Sequence, residues 1–276
     1  MNLVLHGRAL PDPELRRIVQ MVSGGGVTSL GPVAVRISRA EESPLVATYC
    51  EQNELDFAWV PETRLLSNLR LIAMDMDSTL VTIESIDEMG GLLGIKDRIA
   101  SVTEQAMRGE IDYRESLQRR VALLAGLESS ALERICEERM QLSPGAEALI
   151  SRCRELGIRT LLVSGGFSFF TGWLKERLGL DAAYSNQLEI VAGKLTGRMV
   201  GDIVDGEGKA ARLVQEIASM GIMASQVVAV GDGANDVPMM NIAGVSVAYR
   251  AKPVVKDKAT HALDYCGLDE VLNLYA

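Results

Sequence analysis

The chain is poor in histidine. Its 276 residues include only two, His6 and His261, and neither has a histidine or cysteine at metal-ligand spacing. A zinc centre is built mainly from such ligands, and a Ser-His-Asp hydrolase needs a histidine as its base. Both classes are therefore disfavoured, and if the chain is an enzyme, carboxylates must carry its chemistry.

Cysteine is scarce too. Cys50, Cys136, Cys153 and Cys266 lie far apart and include no C-x-x-C pair. In a chain of this length, such cysteines are typical of reduced, buried thiols. We therefore expect a cytoplasmic protein.

Long hydrophobic runs and an excess of positive charge are also missing. No apolar stretch approaches the roughly 20 residues needed to span a bilayer, and residues 1–17 lack the pattern of a signal peptide. The net charge of -9 argues against nucleic acid or an anionic membrane as a partner, because both are bound mainly through Lys and Arg. The expected partner is a small molecule, and the oligomeric state stays open between a monomer and a homodimer.

Residues 1–66 are predicted to form a small α+β domain. LVLHG, VAVRIS and DFAWV are predicted strands and PDPELRRIVQMV a helix, whereas the glycines of SGGGVTSLG predict a flexible loop. This strand-helix-strand order is reminiscent of ligand-binding ACT domains.

From residue 71, short apolar strands alternate with amphipathic helices, which indicates an α/β fold with a Rossmann-like parallel sheet. The predicted strands are LIAMD, RTLLVS, VVAVGD, VSVAY and HALD, with helices near 145–156, 168–179, 207–220 and 236–243. Residues 83–140 have helical spacing throughout and are predicted to be a cap inserted into a core of residues 67–82 and 141–276. A second insertion, a β-hairpin, is predicted within residues 186–200.

Carboxylates follow two of the predicted strands. Asp75 and Asp77 come at the end of LIAMD, and Asp232 comes at the end of VVAVGD, within a GDGAND segment that adds Asn235 and Asp236. Ligands of open α/β sheets bind beyond the carboxyl ends of the strands, so we expect these groups to converge. A cluster of carboxylates requires a cation, and its all-oxygen ligands suit Mg²⁺.

An anion site is expected beside these carboxylates. Ser164 ends a predicted strand, and the amides of Gly165 and Gly166 could form a concavity for anion oxygens. Lys209, at the start of a predicted helix, could add a positive charge. Each element alone could be a capped turn, a tight turn or an exposed lysine. Together they form the set of groups needed for phosphoryl transfer.

These segments resemble the haloacid dehalogenase superfamily of phosphohydrolases. The pattern D-x-D-x-T, a strand-ending Ser or Thr, a Lys and G-D-x-x-x-D is present as DMDST, LLVSGG, Lys209 and GDGAND. The segments DSTLVTIESIDEMG, SLQRRVALL, VSGGF and VGDGANDVPM resemble the phosphoserine phosphatase family within it. The resemblance begins near residue 70 and runs to the C-terminus.

The resemblance implies roles that agree with the chemistry above. Asp75 would attack phosphorus and become an aspartyl-phosphate, and Asp77 would act as general acid and then general base. Mg²⁺ would be held by the carboxylates of Asp75 and Asp232 and the main-chain oxygen of Asp77. Asp236 would orient bound water, and Ser164 and Lys209 would hold phosphoryl oxygens.

The resemblance also implies that the cap selects the substrate. Glu84 would bind the ammonium group of phosphoserine, and Arg120, chosen over Arg119 by the family's S-L-x-x-R-V pattern, would bind its carboxylate. Without the resemblance, Glu84 would be interpreted as an acid in the first turn of a helix and Arg120 as a solvated arginine on a helix face. Tyr113 stands where the family has phenylalanine in the pocket wall, and Met107 is expected in the cap core.

The sequence therefore predicts magnesium-dependent hydrolysis of O-phospho-L-serine, the last step of serine biosynthesis. A phosphotransferase that passes the phosphoryl group to another alcohol would use the same residues. An amino-acid sensor acting through residues 1–66 is the alternative outside enzymes.

Overall fold

A computed structural model describes residues 1–275, and the N-terminal part of the chain forms a four-stranded antiparallel sheet of its own. The strand order is β2-β3-β1-β4, and the sequence of elements is that of a ferredoxin-like unit. Its elements are β1 (Asn2–His6), α1 (Asp12–Met21), β2 (Gly26–Ser29), β3 (Ala34–Ser38), α2 (Pro44–Gln52) and β4 (Asp56–Val60).

Two of these elements differ from the prediction. Strand β2 lies within the glycine-rich segment that predicted a loop; it pairs antiparallel with β3, and its side chains are mostly exposed, so it carries no alternating pattern. Helix α2 has no predicted counterpart. It begins with Pro44 at its first position, where a proline costs no hydrogen bond.

The second sheet has seven strands in the order β11-β10-β9-β5-β6-β7-β8. Its strands are β5 (Leu71–Met74), β6 (Arg159–Phe167), β7 (Ala182–Val191), β8 (Lys194–Val200), β9 (Val227–Gly231), β10 (Val245–Tyr249) and β11 (His261–Leu263). The helices that follow residue 71 are α3 (Ser85–Leu92), α4 (Lys96–Met107), α5 (Tyr113–Ala122), α6 (Ser130–Glu138), α7 (Ala146–Leu156), α8 (Ser168–Leu178), α9 (Gly206–Met220), α10 (Val237–Met240) and α11 (Pro253–Lys256).

The α/β fold class is confirmed, with one antiparallel edge. Strands β11 to β7 pair in parallel, whereas β8 pairs antiparallel with β7. The predicted hairpin is therefore no insertion, because β7 completes the parallel part of the sheet and β8 extends it. The turn between them is Ala192–Gly193, both with positive φ, which matches a tight hairpin turn.

Strand β5 lies between β6 and β9 in this sheet. Its side chains, from Leu71 to Met74, are all fully buried, as expected for a central strand covered by helices on both faces. The carboxyl ends of β5, β6 and β9 therefore lie side by side. Polar residues that follow these strands are brought to one place.

Helices α3 to α6 leave the core through a narrow neck. Val81 and Leu142 form an isolated antiparallel bridge there, flanked by hydrogen bonds from Thr82 N to Gln141 O at 2.9 Å and from Ser143 N to Leu80 O at 2.9 Å. The helical character predicted for this segment is confirmed. The domain limits at residues 66, 82 and 140 stay predictions.

The segment between α5 and α6 also binds the β7–β8 hairpin. Gly126 N donates to Leu195 O at 2.8 Å, Leu195 N to Leu127 O at 2.9 Å, and Ser129 N to Gly193 O at 2.8 Å. The helical cap is thus attached to the core at two separate places. No helix among residues 1–275 is long and apolar enough to cross a bilayer.

Candidate active site

A cavity of about 720 Å³ lies between the ends of β5, β6 and β9 and the cap helices. It brings together residues that the sequence places far apart. Its walls include the predicted site residues Asp75, Asp77, Glu84, Arg120, Ser164, Gly165, Asp232 and Asn235, whereas Lys209 and Asp236 do not line it.

Asp75 is the first residue after β5 and is buried. Its Oδ1 accepts a hydrogen bond from Met76 N at 2.7 Å and lies 2.7 Å from Lys209 Nζ. Both contacts use the same oxygen, and Oδ2 accepts no hydrogen bond from the described residues.

A single wide turn at residues 76–80 follows Asp75. Within it Ser78 has φ of 56°, a left-handed conformation that is costly for a residue other than glycine. This turn brings Asp77 against the first residue of α3. Ser85 N donates to Asp77 Oδ1 at 3.1 Å and Ser85 Oγ to Asp77 Oδ2 at 3.0 Å, so the carboxyl group is held at both oxygens.

The environment of Asp77 favours its protonated form. Burial and the nearby charge of Glu84 raise the pKa of Asp77 to about 7, although the hydrogen bonds from Ser85 oppose this. A carboxyl group with such a pKa carries a proton part of the time near neutrality, as a general acid must.

The predicted anion concavity differs in detail from the structure. Strand β6 does not end at Ser164 but continues to Phe167 after a change of register. Gly166 N donates to Ser164 Oγ at 2.8 Å, so this amide has a partner within the protein. A side chain at Gly166 would have its Cβ 3.0 Å from both Asp77 Oδ2 and Ser164 Oγ, which indicates that the two groups converge across this glycine.

Lys209 is fully buried behind Asp75, contrary to the alternative of an exposed lysine. Its Nζ lies 2.6 Å from Asp236 Oδ1 and 2.7 Å from Asp75 Oδ1. Burial alone would lower the pKa of Lys209, but these two carboxylates outweigh it and raise the pKa. Lys209 is therefore a permanent cation within the acidic cluster.

Three carboxylates, from Asp75, Asp232 and Asp236, have oxygens within 4.8 Å of one another and could hold a metal ion. Burial and the charge of Asp236 raise the pKa of Asp75. Burial, Asp236 and Glu84 likewise raise the pKa of Asp232 to about 6. These carboxylates repel one another, and their hard oxygen donors fit Mg²⁺.

Asp236 contacts protein groups through both of its oxygens, and its predicted role of orienting water stays a prediction. Besides Lys209, its carboxylate accepts hydrogen bonds from Asp232 N at 3.1 Å and from Gly233 N at 3.0 Å. It thus fixes the loop after β9, including the backbone of Asp232. Of the three clustered acids, Asp236 has the fewest oxygen positions left for an ion.

On the cap side of the cavity, Arg120 and the adjacent Arg119 have different environments. Arg120 lines the cavity, and its buried Nε makes no hydrogen bond to the described residues. Arg119 is exposed and bonds to Glu115 and Gln105 instead. Glu84 lies at the exposed rim, where its Oε1 accepts from Ser78 Oγ at 2.8 Å.

Two further cap residues border the cavity. Tyr113 is half-buried in the cavity wall. Met107 also borders the cavity and is 70% exposed, so the prediction that it belongs to the cap core is wrong. It is the last residue of α4.

Two residues that support the site had no sequence signal of function. Ser85 opens a Ser-x-x-Glu segment, which favours a helix-capping role, yet its side chain binds Asp77. Asn186 is buried within β7; its Nδ2 donates to Gly165 O at 2.8 Å and its Oδ1 accepts from Val204 N at 2.7 Å. It therefore fixes the position of Gly165.

Comparisons with known proteins agree with this geometry. The family model for haloacid dehalogenase-like hydrolases matches residues 72–241. A phosphoserine phosphatase of a Polaromonas species is 50% identical over 214 residues, covering 76% of this chain and 91% of the relative.

Solved structures extend the similarity to the whole chain. A haloacid dehalogenase family hydrolase from Salmonella enterica matches with a TM-score of 0.90 at 30% identity, covering 99% of this chain and 98% of its own. A probable phosphoserine phosphatase from Vibrio cholerae matches with a TM-score of 0.88 at 36% identity, covering 99% and 85%. Neither alternative to a phosphatase is favoured by these relatives. The chain belongs to the haloacid dehalogenase-like hydrolases, in their phosphoserine phosphatase branch.

Proposed function

We propose that the protein hydrolyses O-phospho-L-serine to L-serine and phosphate through an aspartyl-phosphate on Asp75. The observation that carries this proposal is the set of residues that line the cavity between the strand ends and the cap helices. Its core side presents Asp75, Asp77 and Asp232, and its cap side presents Arg120 and Glu84. The first set suits phosphoryl transfer, and the second set offers one base and one acid to the amino-acid part of the substrate.

Asp75 acts as the nucleophile. Lys209 and the amide of Met76 fix its Oδ1, and Oδ2 attacks phosphorus in line with the serine oxygen. The P–O bond to serine breaks as the bond to Asp75 forms, and water then displaces Asp75 in a second step. Splitting the reaction in this way replaces one difficult displacement by two easier ones.

Asp77 moves the protons of both steps. In its protonated form it donates to the departing serine oxygen, and as a carboxylate it then accepts a proton from the attacking water. Its two hydrogen bonds from Ser85 fix the direction in which it faces. Ser164, which converges with it across Gly166, holds a phosphoryl oxygen.

The carboxylates of Asp75 and Asp232, with the main-chain oxygen of Asp77, are the groups that would hold Mg²⁺. Bound there, the ion offsets the charge of the phosphoryl group and of the acids around it. Lys209 contributes a second, fixed positive charge. Its contacts with Asp75 and Asp236 orient the nucleophile and compensate both carboxylates, and its predicted contact with a phosphoryl oxygen stays a prediction.

Selectivity comes from the cap. The half-buried guanidinium of Arg120 has a buried Nε without a partner among residues 1–275, so a carboxylate that enters the cavity supplies what this group lacks. Glu84 at the rim binds the ammonium group. A substrate that lacks these two groups uses only the core side of the site.

The reaction is tested by assaying phosphate release from phosphoserine, phosphothreonine and p-nitrophenyl phosphate, with and without Mg²⁺. Phosphoserine with Mg²⁺ is expected to give the highest kcat/KM. Asp75→Asn is expected to abolish turnover, while Asp202→Asn, at an exposed residue that does not line the cavity, retains it. Wild-type turnover in Asp75→Asn would contradict the nucleophile assignment.

We also propose that the protein is cytoplasmic, which its four free, buried cysteines support. A homodimer stays a prediction, for which the measurement is the mass in solution by light scattering.

A further inference from the structure

Tyr113 touches the phosphate end of the cavity. If Gly165 carried a side chain, its Cβ would lie 2.1 Å from the Tyr113 hydroxyl oxygen and 3.4 Å from Cζ. The hydroxyl therefore rests directly against the backbone of Gly165. Since Asn186 fixes this peptide, the contact has a defined position.

The hydroxyl of Tyr113 is free to bind a ligand. It makes no hydrogen bond to the described residues, and it is not sealed from the cavity. Burial raises the pKa of Tyr113, so the group keeps its proton near neutral pH and acts as a donor. A hydroxyl donor that faces the cavity without a partner among the described residues can donate its hydrogen bond to a ligand that enters there.

The position of Tyr113 on α5 indicates which part of the ligand it meets. Tyr113, Ser116, Leu117 and Arg120 all line the cavity, at the spacing of one helix face. Tyr113 and Arg120 are separated by about 10 Å along the helix axis. Arg120 faces the carboxylate in the proposed function, so Tyr113 faces the opposite end, beside Ser164 and Gly165.

We propose that Tyr113 donates a hydrogen bond from its hydroxyl to a non-bridging oxygen of the transferred phosphoryl group. It is thus a substrate-binding residue contributed by the cap to the phosphate site of the core. This inference rests on the proposed function for the identity of the substrate but not for the phosphate site itself. A phenylalanine at this position would fill the same wall without the bond.

The test compares Tyr113→Phe with wild type and with Tyr265→Phe, which removes a hydroxyl from an exposed tyrosine outside this cavity. We expect kcat/KM to fall about tenfold for both phosphoserine and p-nitrophenyl phosphate, because one hydrogen bond to a charged group is lost. The inhibition constant of inorganic phosphate should rise by a similar factor, while that of L-serine stays unchanged. Tyr265→Phe should change none of these.

Each outcome has a distinct meaning. If Tyr113→Phe weakens inhibition by L-serine and leaves inhibition by phosphate unchanged, Tyr113 lies at the amino-acid end of the cavity and the proposal is overturned. The proposal is also overturned if neither inhibition constant changes. If the wild type hydrolyses p-nitrophenyl phosphate but not phosphoserine, the proposed function fails, while the phosphate measurement still decides the role of Tyr113.

The contact itself can be tested by stability. Gly165→Ala is expected to lower the melting temperature because the new methyl group meets the Tyr113 hydroxyl. Adding Tyr113→Phe should restore part of the loss, since the nearest remaining ring atom is at an ordinary contact distance of 3.4 Å. If the double variant melts no higher than Gly165→Ala, the hydroxyl does not lie against Gly165, and the proposal loses its basis.

Discussion

Arg120→Ala should separate substrate recognition from chemistry. The guanidinium lines the cavity with a buried Nε that lacks a partner in the described chain. Two charge-assisted hydrogen bonds to a carboxylate at about 1.5 kcal/mol each amount to about 3 kcal/mol. This corresponds to a loss of roughly a hundredfold in kcat/KM.

The assay is steady-state hydrolysis of phosphoserine and p-nitrophenyl phosphate by the same preparations. We expect the loss only for phosphoserine, because p-nitrophenyl phosphate has no carboxylate for Arg120 to bind. Arg119→Ala is a matched control one residue away: its side chain is exposed and bonded to Glu115, so both activities should stay within about twofold. Arg120→Lys should be intermediate, because an ammonium group cannot form the paired bonds of a guanidinium.

A loss of equal size on both substrates would refute this reasoning, since it would mean that Arg120 supports the phosphate site or the fold. The melting temperature provides a separate check. A half-buried cation without a partner does not stabilise the free protein, so Arg120→Ala should melt no lower than the wild type.

Two further predictions concern stability. Lys209→Met should lower the free energy of unfolding by about 3–5 kcal/mol, because it leaves two buried carboxylates without their cation. Urea denaturation measures this free energy. As a control, Lys252→Met, at an exposed residue on the cavity edge, should change the free energy of unfolding by less than about 0.5 kcal/mol. His261 is buried, and burial together with Arg64 and His6 lowers its pKa to about 3. In the unfolded chain a histidine has a pKa of about 6.5, so below this pH the unfolded state binds a proton that the folded state does not. The contribution of His261 to the free energy of unfolding should therefore be constant above this pKa and fall by about 2 kcal/mol at pH 5. His261→Gln should make the free energy of unfolding less dependent on pH between about 5 and 6.5. If the dependence is unchanged in this variant, His261 is not the group that causes it.

The features that could be predicted from sequence are local ones. Four apolar residues followed by Asp75 predict a buried strand with a polar end, and parallel strands bring such ends together whatever the rest of the chain does. The helical spacing of the cap is likewise a property of nearby residues. The acid cluster, the cavity and the α/β sheet could therefore be anticipated.

The features that could not be predicted depend on residues far apart in the chain. Nothing near Asn186 indicates that it binds Gly165, and nothing near Lys209 distinguishes a buried cation from an exposed one. Strand β2 was missed for a related reason: its pairing with β3 comes from backbone hydrogen bonds, which leave no trace in exposed side chains.

The attachment of α5 explains how one helix can set selectivity. Beside Tyr113 at its start, Arg114 forms an ion pair at 2.6 Å with Asp205 of the core, and the segment after its end is bonded through Gly126 to the β7–β8 hairpin. A helix held at both ends keeps its cavity face in a fixed position relative to the core. Apart from Tyr113, the groups proposed for phosphoryl transfer lie on other elements, so substitutions at Ser116, Leu117 and Arg120 can change which phosphate ester fits without changing how the ester is cleaved. Selectivity should therefore be altered more readily through the cavity face of α5 than through the strand ends.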